Sequence, residues 1–213
     1  MRTDDLVKIM STNLEAIDAH EPRRLILISA ALGALIAFGM MMLFLGPRTD
    51  LSALRIWMFV GVKYAFAGAN IGVSLANLTR IARPGGERRV SIALGLMVFA
   101  VAFAVGIASL AVTPVSDWKA MIIGEYWLLC LACIPLNAIV PFAAIIWSMR
   151  QLAPTNLTLA GAMAGRAAGG ISAFVYALHC TDDSLPFIAV WYGLTIVMCA
   201  VLGGMVGPRL LRW

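Results

Sequence analysis

Four thiols, one histidine and two adjacent carboxylates are the residues of this chain best suited to do chemistry. Cys180 lies in the stretch YALHCTDDSLPFIAVWY, residues 176–192, directly after His179 and just before Asp182 and Asp183. Cys130 and Cys133 stand in WLLCLACIP, a C-x-x-C spacing that elsewhere marks redox or metal chemistry. In an apolar helix two cysteines three apart usually mean packing. Histidine, thiol and carboxylates together could ligate a soft metal. Two acids ahead of Ser184 and Pro186 also make a turn and a helix N-cap, and structural zinc sites use four well-spaced ligands. The turn-and-cap reading is the more economical, so no metal site and no cofactor is assigned.

The elements that must position these groups are written in the hydropathy. Mean hydropathy is +0.91 and 62% of the 213 residues are hydrophobic, a composition ordinary for a polytopic membrane protein and too apolar for a soluble domain. Long unbroken apolar runs favour helices over the alternating strands of a barrel. Six segments have about the length that hydrocarbon requires: Leu25–Leu45, Ile56–Leu78, Ser91–Thr113, Tyr126–Ser148, Leu157–Leu178 and Phe187–Val206. The expected fold is all-α: a six-span transmembrane bundle over 25–207, preceded by a tail, 1–24, and followed by a short tail, 208–213. Tryptophans 57, 118, 127, 147, 191 and 213 fall near span ends or in loops, as an aromatic belt would place them.

Charge sets orientation. Eleven of the sixteen Lys and Arg residues fall on the side of the termini and three on the other, which puts both termini in the cytoplasm. The net charge of +5 then needs no nucleic-acid partner. Within residues 1–24, Leu6, Met10, Leu14 and Ile17 form one apolar stripe on a short amphipathic helix, and Asp4 and Asp5 sit at the favourable end of its dipole. No cleavable signal peptide is expected, because the apolar run starts only near Leu25. A short amphipathic helix can also simply lie on a membrane.

Two cations fall inside spans, Lys63 and Arg166. Such a charge is either functional or snorkels to an interface. Arg166 reads as snorkelling; for Lys63 both readings stand. No acidic residue lies within a span, so neither is expected to have an intramembrane counter-ion. Glycines recur every four residues at 161, 165 and 169, at 203 and 207, and at 68 and 72, the spacing that lets helices approach closely. The fifth and sixth spans should therefore pack tightly and hold their hairpin in place. Cys130, a helical turn shallower than Cys133, is the better partner for Cys180, and Cys199 is a packing thiol.

Taken together, TDDLVKIM at the start, the turn RIARPGG after the span with Lys63, CLACIP, WSMRQLAPT, YALHCTDDS, WYG and the final LLRW resemble the negative-regulator-of-sigma-F family. The resemblance covers nearly the whole chain and implies a small bacterial inner-membrane anti-sigma factor that holds an extracytoplasmic-function sigma factor inactive. It implies no enzyme activity. The family's two functional extracytoplasmic cysteines correspond to Cys180 and, through a C-L-x-x-I-P pattern, to Cys130; Cys133 and Arg166 look like departures. On this reading Cys130 and Cys180, with His179, Asp182 and Asp183 around them, sense a signal relevant to stress, while Asp4, Asp5, Leu6, Met10, Leu14 and Ile17 contact the sigma factor. The competing reading is a membrane thiol–disulfide oxidoreductase using Cys130, Cys133 and Cys180 with a quinone. A transporter using Lys63 and Arg166 lacks internal repeats and broken helices.

Overall fold

In a computed structural model, residues 21–49, 54–83, 85–86, 90–152 and 154–212 are described. The amphipathic stretch carrying Asp4, Asp5, Leu6, Met10, Leu14 and Ile17 lies outside them. Six long helices follow one another: α1 Glu21–Phe44, α2 Leu54–Ile81, α3 Ile92–Ala111, then, after a short α4 at Trp118–Ile123, α5 Trp127–Leu152, α6 Leu157–Tyr176 and α7 Leu185–Leu210. No strand occurs among the described residues. Helix α1 starts at Glu21, four residues ahead of the apolar run. Pro22 needs no amide partner in a first turn and Glu21 faces the positive end of the dipole. The α4 turn was not expected in what reads as a plain connection.

Among the described residues five helices are long and apolar enough to cross a membrane: α1, α2, α3, the stretch Val115–Leu152 containing α5, and α7. Helix α6 is the exception. Glycine, alanine and Arg166 dilute its hydropathy, and 14 of its 20 residues are buried, including every residue from Ala164 to Ala173. It is the central post. The periphery is the reverse: α3 buries only Gly95 and Gly106, while Leu35, Leu43, Leu96, Ile107, Leu202 and Met205 stand exposed on α1, α3 and α7. Apolar side chains facing outward around a core of small residues are what hydrocarbon solvent selects.

The glycines of α6 and α7 interlock as their spacing predicts. A β-carbon on Gly161 would fall 2.3 Å from the Gly203 carbonyl oxygen, and one on Gly165 would fall 2.1 Å from that of Cys199. Gly68 and Gly72 do not share this role, since a β-carbon on either meets nothing within 4 Å. Where α2 meets α6 the glycine belongs to α6: Gly170 faces Ile71 and Ala67. Helix α5 carries Pro135 and Pro141 in its interior. The backbone there is held by neighbours, with Ser172 donating to the Ile134 carbonyl at 2.7 Å and Gly33 of α1 pressed against Pro141.

Candidate functional site

The turn after α6 carries the chain to Cys180, whose amide still donates to the Tyr176 carbonyl at 3.1 Å. From there the hairpin runs across the end of the bundle, and each of its acids reaches a different element. The carboxylate of Asp182 accepts the amides of Glu125 and Tyr126, the latter at 2.8 Å, and so caps the start of α5. Gly124 makes room for it: φ is +61°, and a β-carbon would fall 2.7 Å from the Asp182 carboxyl group. Asp183 takes Arg48 on both oxygens at 2.9 Å and the Lys63 ammonium at 2.7 Å. Ser184 gives α7 no side-chain cap and donates to the Met121 carbonyl instead. The expectation that Asp182, Asp183 and Ser184 cap the following helix is thus corrected, because the acids serve α5, α2 and the Arg48 loop.

Cys130, one turn into the helix that Asp182 caps, comes to rest against Cys180 with 3.8 Å between sulfurs. Both are free thiols and buried. The hydroxyls of Tyr176 and Tyr192 are buried in the same apolar cluster as the two thiols. Tyr192 reaches it from a wide π-type turn, Ile188–Tyr192, in α7, a distortion common at functional positions. The Cys180 carbonyl accepts Lys63 at 2.8 Å and Arg48 at 3.1 Å. His179 is turned away, its Nδ1 2.9 Å from the Gly46 carbonyl. Cys133 is half-exposed on a cavity of about 170 Å³ beside Met40, Met41 and Tyr176. Cys199 packs into the glycine notch of α6. Among the described residues no group of three His, Cys, Asp or Glu is arranged for a metal ion.

Electrostatics distinguishes these groups. The hydrogen bond from Cys130 and, against the burial that opposes it, the nearby Lys63 ammonium bring the Cys180 thiol down to about 7. Burial raises the Asp183 carboxyl, but the hydrogen bonds from Arg48 and Lys63 outweigh it and hold the group below its ordinary value. A thiol that ionises near neutrality, 3.8 Å from a second thiol, can form a disulfide or bind a thiophilic ion.

Neither Lys63 nor Arg166 is placed as a snorkelling side chain would be. Lys63 is fully buried, and its counter-ion comes from outside the spans, from the hairpin. Arg166 is 7% exposed; Nε and Nη2 donate to Asn70 Oδ1 at 3.0 and 2.8 Å and Nη2 to the Gly95 carbonyl at 3.1 Å. Arg48 is the site residue that sequence reasoning passed over. Its signal was present: it is one of three basic residues on the side of the chain where Asp182 and Asp183 lie.

The described residues form an all-helical bundle with apolar outer faces and five helices long and apolar enough to cross a membrane, a build compatible with a membrane protein. The family model for the negative regulator of sigma F matches residues 10–213, and the chain belongs to that family. It is 32% identical, over the full length of both chains, to the probable anti-sigma-F factor NrsF of Azospira oryzae. It is also 32% identical, again over the full length of both, to the anti-sigma-F factor NrsF of Caulobacter vibrioides. No solved structure matches it. Membership makes a sigma factor the implied partner.

Proposed function

We propose that the chain is a six-span inner-membrane anti-sigma factor, both termini cytoplasmic, that sequesters an extracytoplasmic-function sigma factor and releases it when the Cys130–Cys180 pair changes state. The observation that carries this reading is the pair of buried thiols 3.8 Å apart in a member of an anti-sigma family. Charge bias supports the orientation, and the apolar outer faces support the bilayer. The tail residues Asp4, Asp5, Leu6, Met10, Leu14 and Ile17 form the sigma contact, joined by cytoplasmic loops, because so short a segment covers only part of a standard interface of about 800 Å² per partner.

Transmission follows from the hydrogen bonds. Oxidation of the pair closes the sulfurs to about 2.05 Å, while two protons and two electrons pass to the oxidant. Cys180 moves with its sulfur, and its carbonyl is what Lys63 and Arg48 hold. Helix α2 feels the shift through Lys63 and leads to the opposite end of the bundle. A covalent clip worth about 2–4 kcal/mol changes affinity by tens- to several-hundred-fold, short of the roughly 5.5 kcal/mol that a complete population swing takes. Release is therefore graded.

Co-expression with the sigma factor encoded nearest to the gene, followed by detergent co-purification, is the direct experiment. The full chain retains the sigma factor and a chain lacking residues 1–20 loses it; if the full chain retains none, the reading falls. Diamide, which takes up the two electrons and two protons, lowers retention by the parent and not by Cys130→Ser or Cys180→Ser. An unchanged response in both variants would remove the thiols from the mechanism.

A further inference from the structure

A buried cation other than Lys63 and Arg48 faces a cavity that the thiol site does not use. Between α3, α6 and α7 lies a cleft of about 660 Å³ bordered by Phe99, Thr158, Arg166, Val197, Val201 and Met205, within the size range of ligand sites. Among the described residues its only charged wall residue is Arg166. The groups that hold the guanidinium, Asn70 and Gly95, are neutral acceptors, so they orient it without cancelling its charge. Nη1 carries no hydrogen bond, and no carboxylate pairs with the side chain, among the described residues. A cation left uncompensated in a low-dielectric interior is costly, and such a residue ordinarily marks a site whose counter-ion arrives from outside.

The cleft has a polarity gradient. Gly95 is the fourth residue of α3, so the guanidinium head sits one turn inside the helix start. Thr158 is the second residue of α6, and Pro208 lies in the last turn of α7, where Arg209 adds a further cation. These polar and charged groups share one end of the bundle. Phe99, Val197 and Val201 carry the wall away from it toward the middle, and Val201 is 55% exposed, so the cleft opens sideways. The Arg166 guanidinium stacks over the Phe99 ring at 5.2 Å, which marks where charge gives way to hydrocarbon.

We propose that this cleft binds one acidic phospholipid, its phosphate on Arg166 at the end shared by Gly95, Thr158 and Pro208, with one acyl chain along Phe99, Val197 and Val201. Basic pockets between membrane helices near one interface recognise anionic headgroups in this way. A zwitterionic lipid brings its own ammonium beside the phosphate and leaves the guanidinium uncompensated. The inference stands apart from the anti-sigma reading and from the thiols.

Native mass spectrometry of the full chain tests it, after exchange into a lipid-stripping detergent and incubation with equal amounts of phosphatidylglycerol and phosphatidylcholine of the same acyl chains. The parent holds one phosphatidylglycerol with a preference of about fivefold. Arg166→Gln abolishes the preference. Ala200→Phe fills the cleft without touching the cation and lowers retention of phosphatidylglycerol. Equal retention of the two lipids by the parent overturns the proposal, and so does an undiminished preference in Arg166→Gln or undiminished retention in Ala200→Phe. Displacement of the lipid by millimolar inorganic phosphate also overturns it, since the site would then recognise the anion alone. Should Arg166→Gln aggregate, the parent's lipid ratio and Ala200→Phe still decide the outcome.

Discussion

Lys63 and Arg166 are both long cations folded into the interior, and they are satisfied in opposite ways. Lys63 meets a carboxylate delivered by a loop, shares it with Arg48, and donates besides to a backbone carbonyl. Arg166 meets a side-chain amide and a backbone carbonyl, neither of them charged. The first arrangement ties three separate elements together and responds to any movement of the hairpin. The second fixes where a charge sits and leaves the charge itself unanswered. In one protein, then, a buried cation serves as a coupling and another as a receptor.

The comparison breaks most sharply at Asp183. Asp183→Ala takes the carboxylate from the fully buried Lys63 and should cost about 3–5 kcal/mol, a fall of roughly ten degrees in Tm for a chain of this size. The double variant Lys63→Met, Asp183→Leu should recover part of it, because each change removes the other's unpaired charge. Arg166→Met leaves only neutral acceptors without a donor and should cost less, about 1–3 kcal/mol by thermal denaturation in detergent. A larger loss than for Asp183→Ala would mean that the two cations have been assigned the wrong way round. Gly95→Ala puts a β-carbon 2.2 Å from Arg166 Nη1, so the flexible guanidinium must shift at a cost of about 1 kcal/mol; Gly68→Ala, which meets open space, should be neutral.

The smallest effect is also the most local. With Cys133 and Cys199 replaced by alanine, alkylation of Cys180 by iodoacetamide should rise with pH through about 7 instead of through the ordinary thiol range near 8.5. The sign follows from which form is favoured: a hydrogen bond and a nearby cation stabilise the thiolate, so removing either moves the inflection upward. Cys130→Ala should move it further than Lys63→Met, because the Cys130 hydrogen bond is the larger of the two causes. An inflection that stays near 7 in both variants would detach Cys180 from its neighbours.

The long helices were legible because hydrocarbon imposes length and composition locally, and the glycine ridge at 161, 165 and 169 can likewise be read from a short stretch of residues. The ion cluster could not be read in this way. A search for acids within spans finds none near Lys63, since Asp183 lies 120 positions further on and reaches it only once the hairpin folds over the end of the bundle. Asp182 and Asp183 illustrate the same limit. Local pattern gave both to the helix that follows, whereas the folded chain spends one on α5 and the other on Lys63 and Arg48. Gly68 and Gly72 have the packing spacing but face open space, because the contact between α2 and α6 is made on another side of α2.

The cap on α5 also carries a schedule for biogenesis. Glu125 and Tyr126 leave the ribosome well ahead of Asp182, 57 and 56 positions further on, and α6 is made in between. Until the hairpin emerges, the amides that open α5 have no carboxylate to meet, and Cys130 has no thiol opposite it. Helix α5 is thus completed by residues that immediately precede α7. A nascent chain halted before residue 182 therefore has an α5 start whose amides lack this carboxylate.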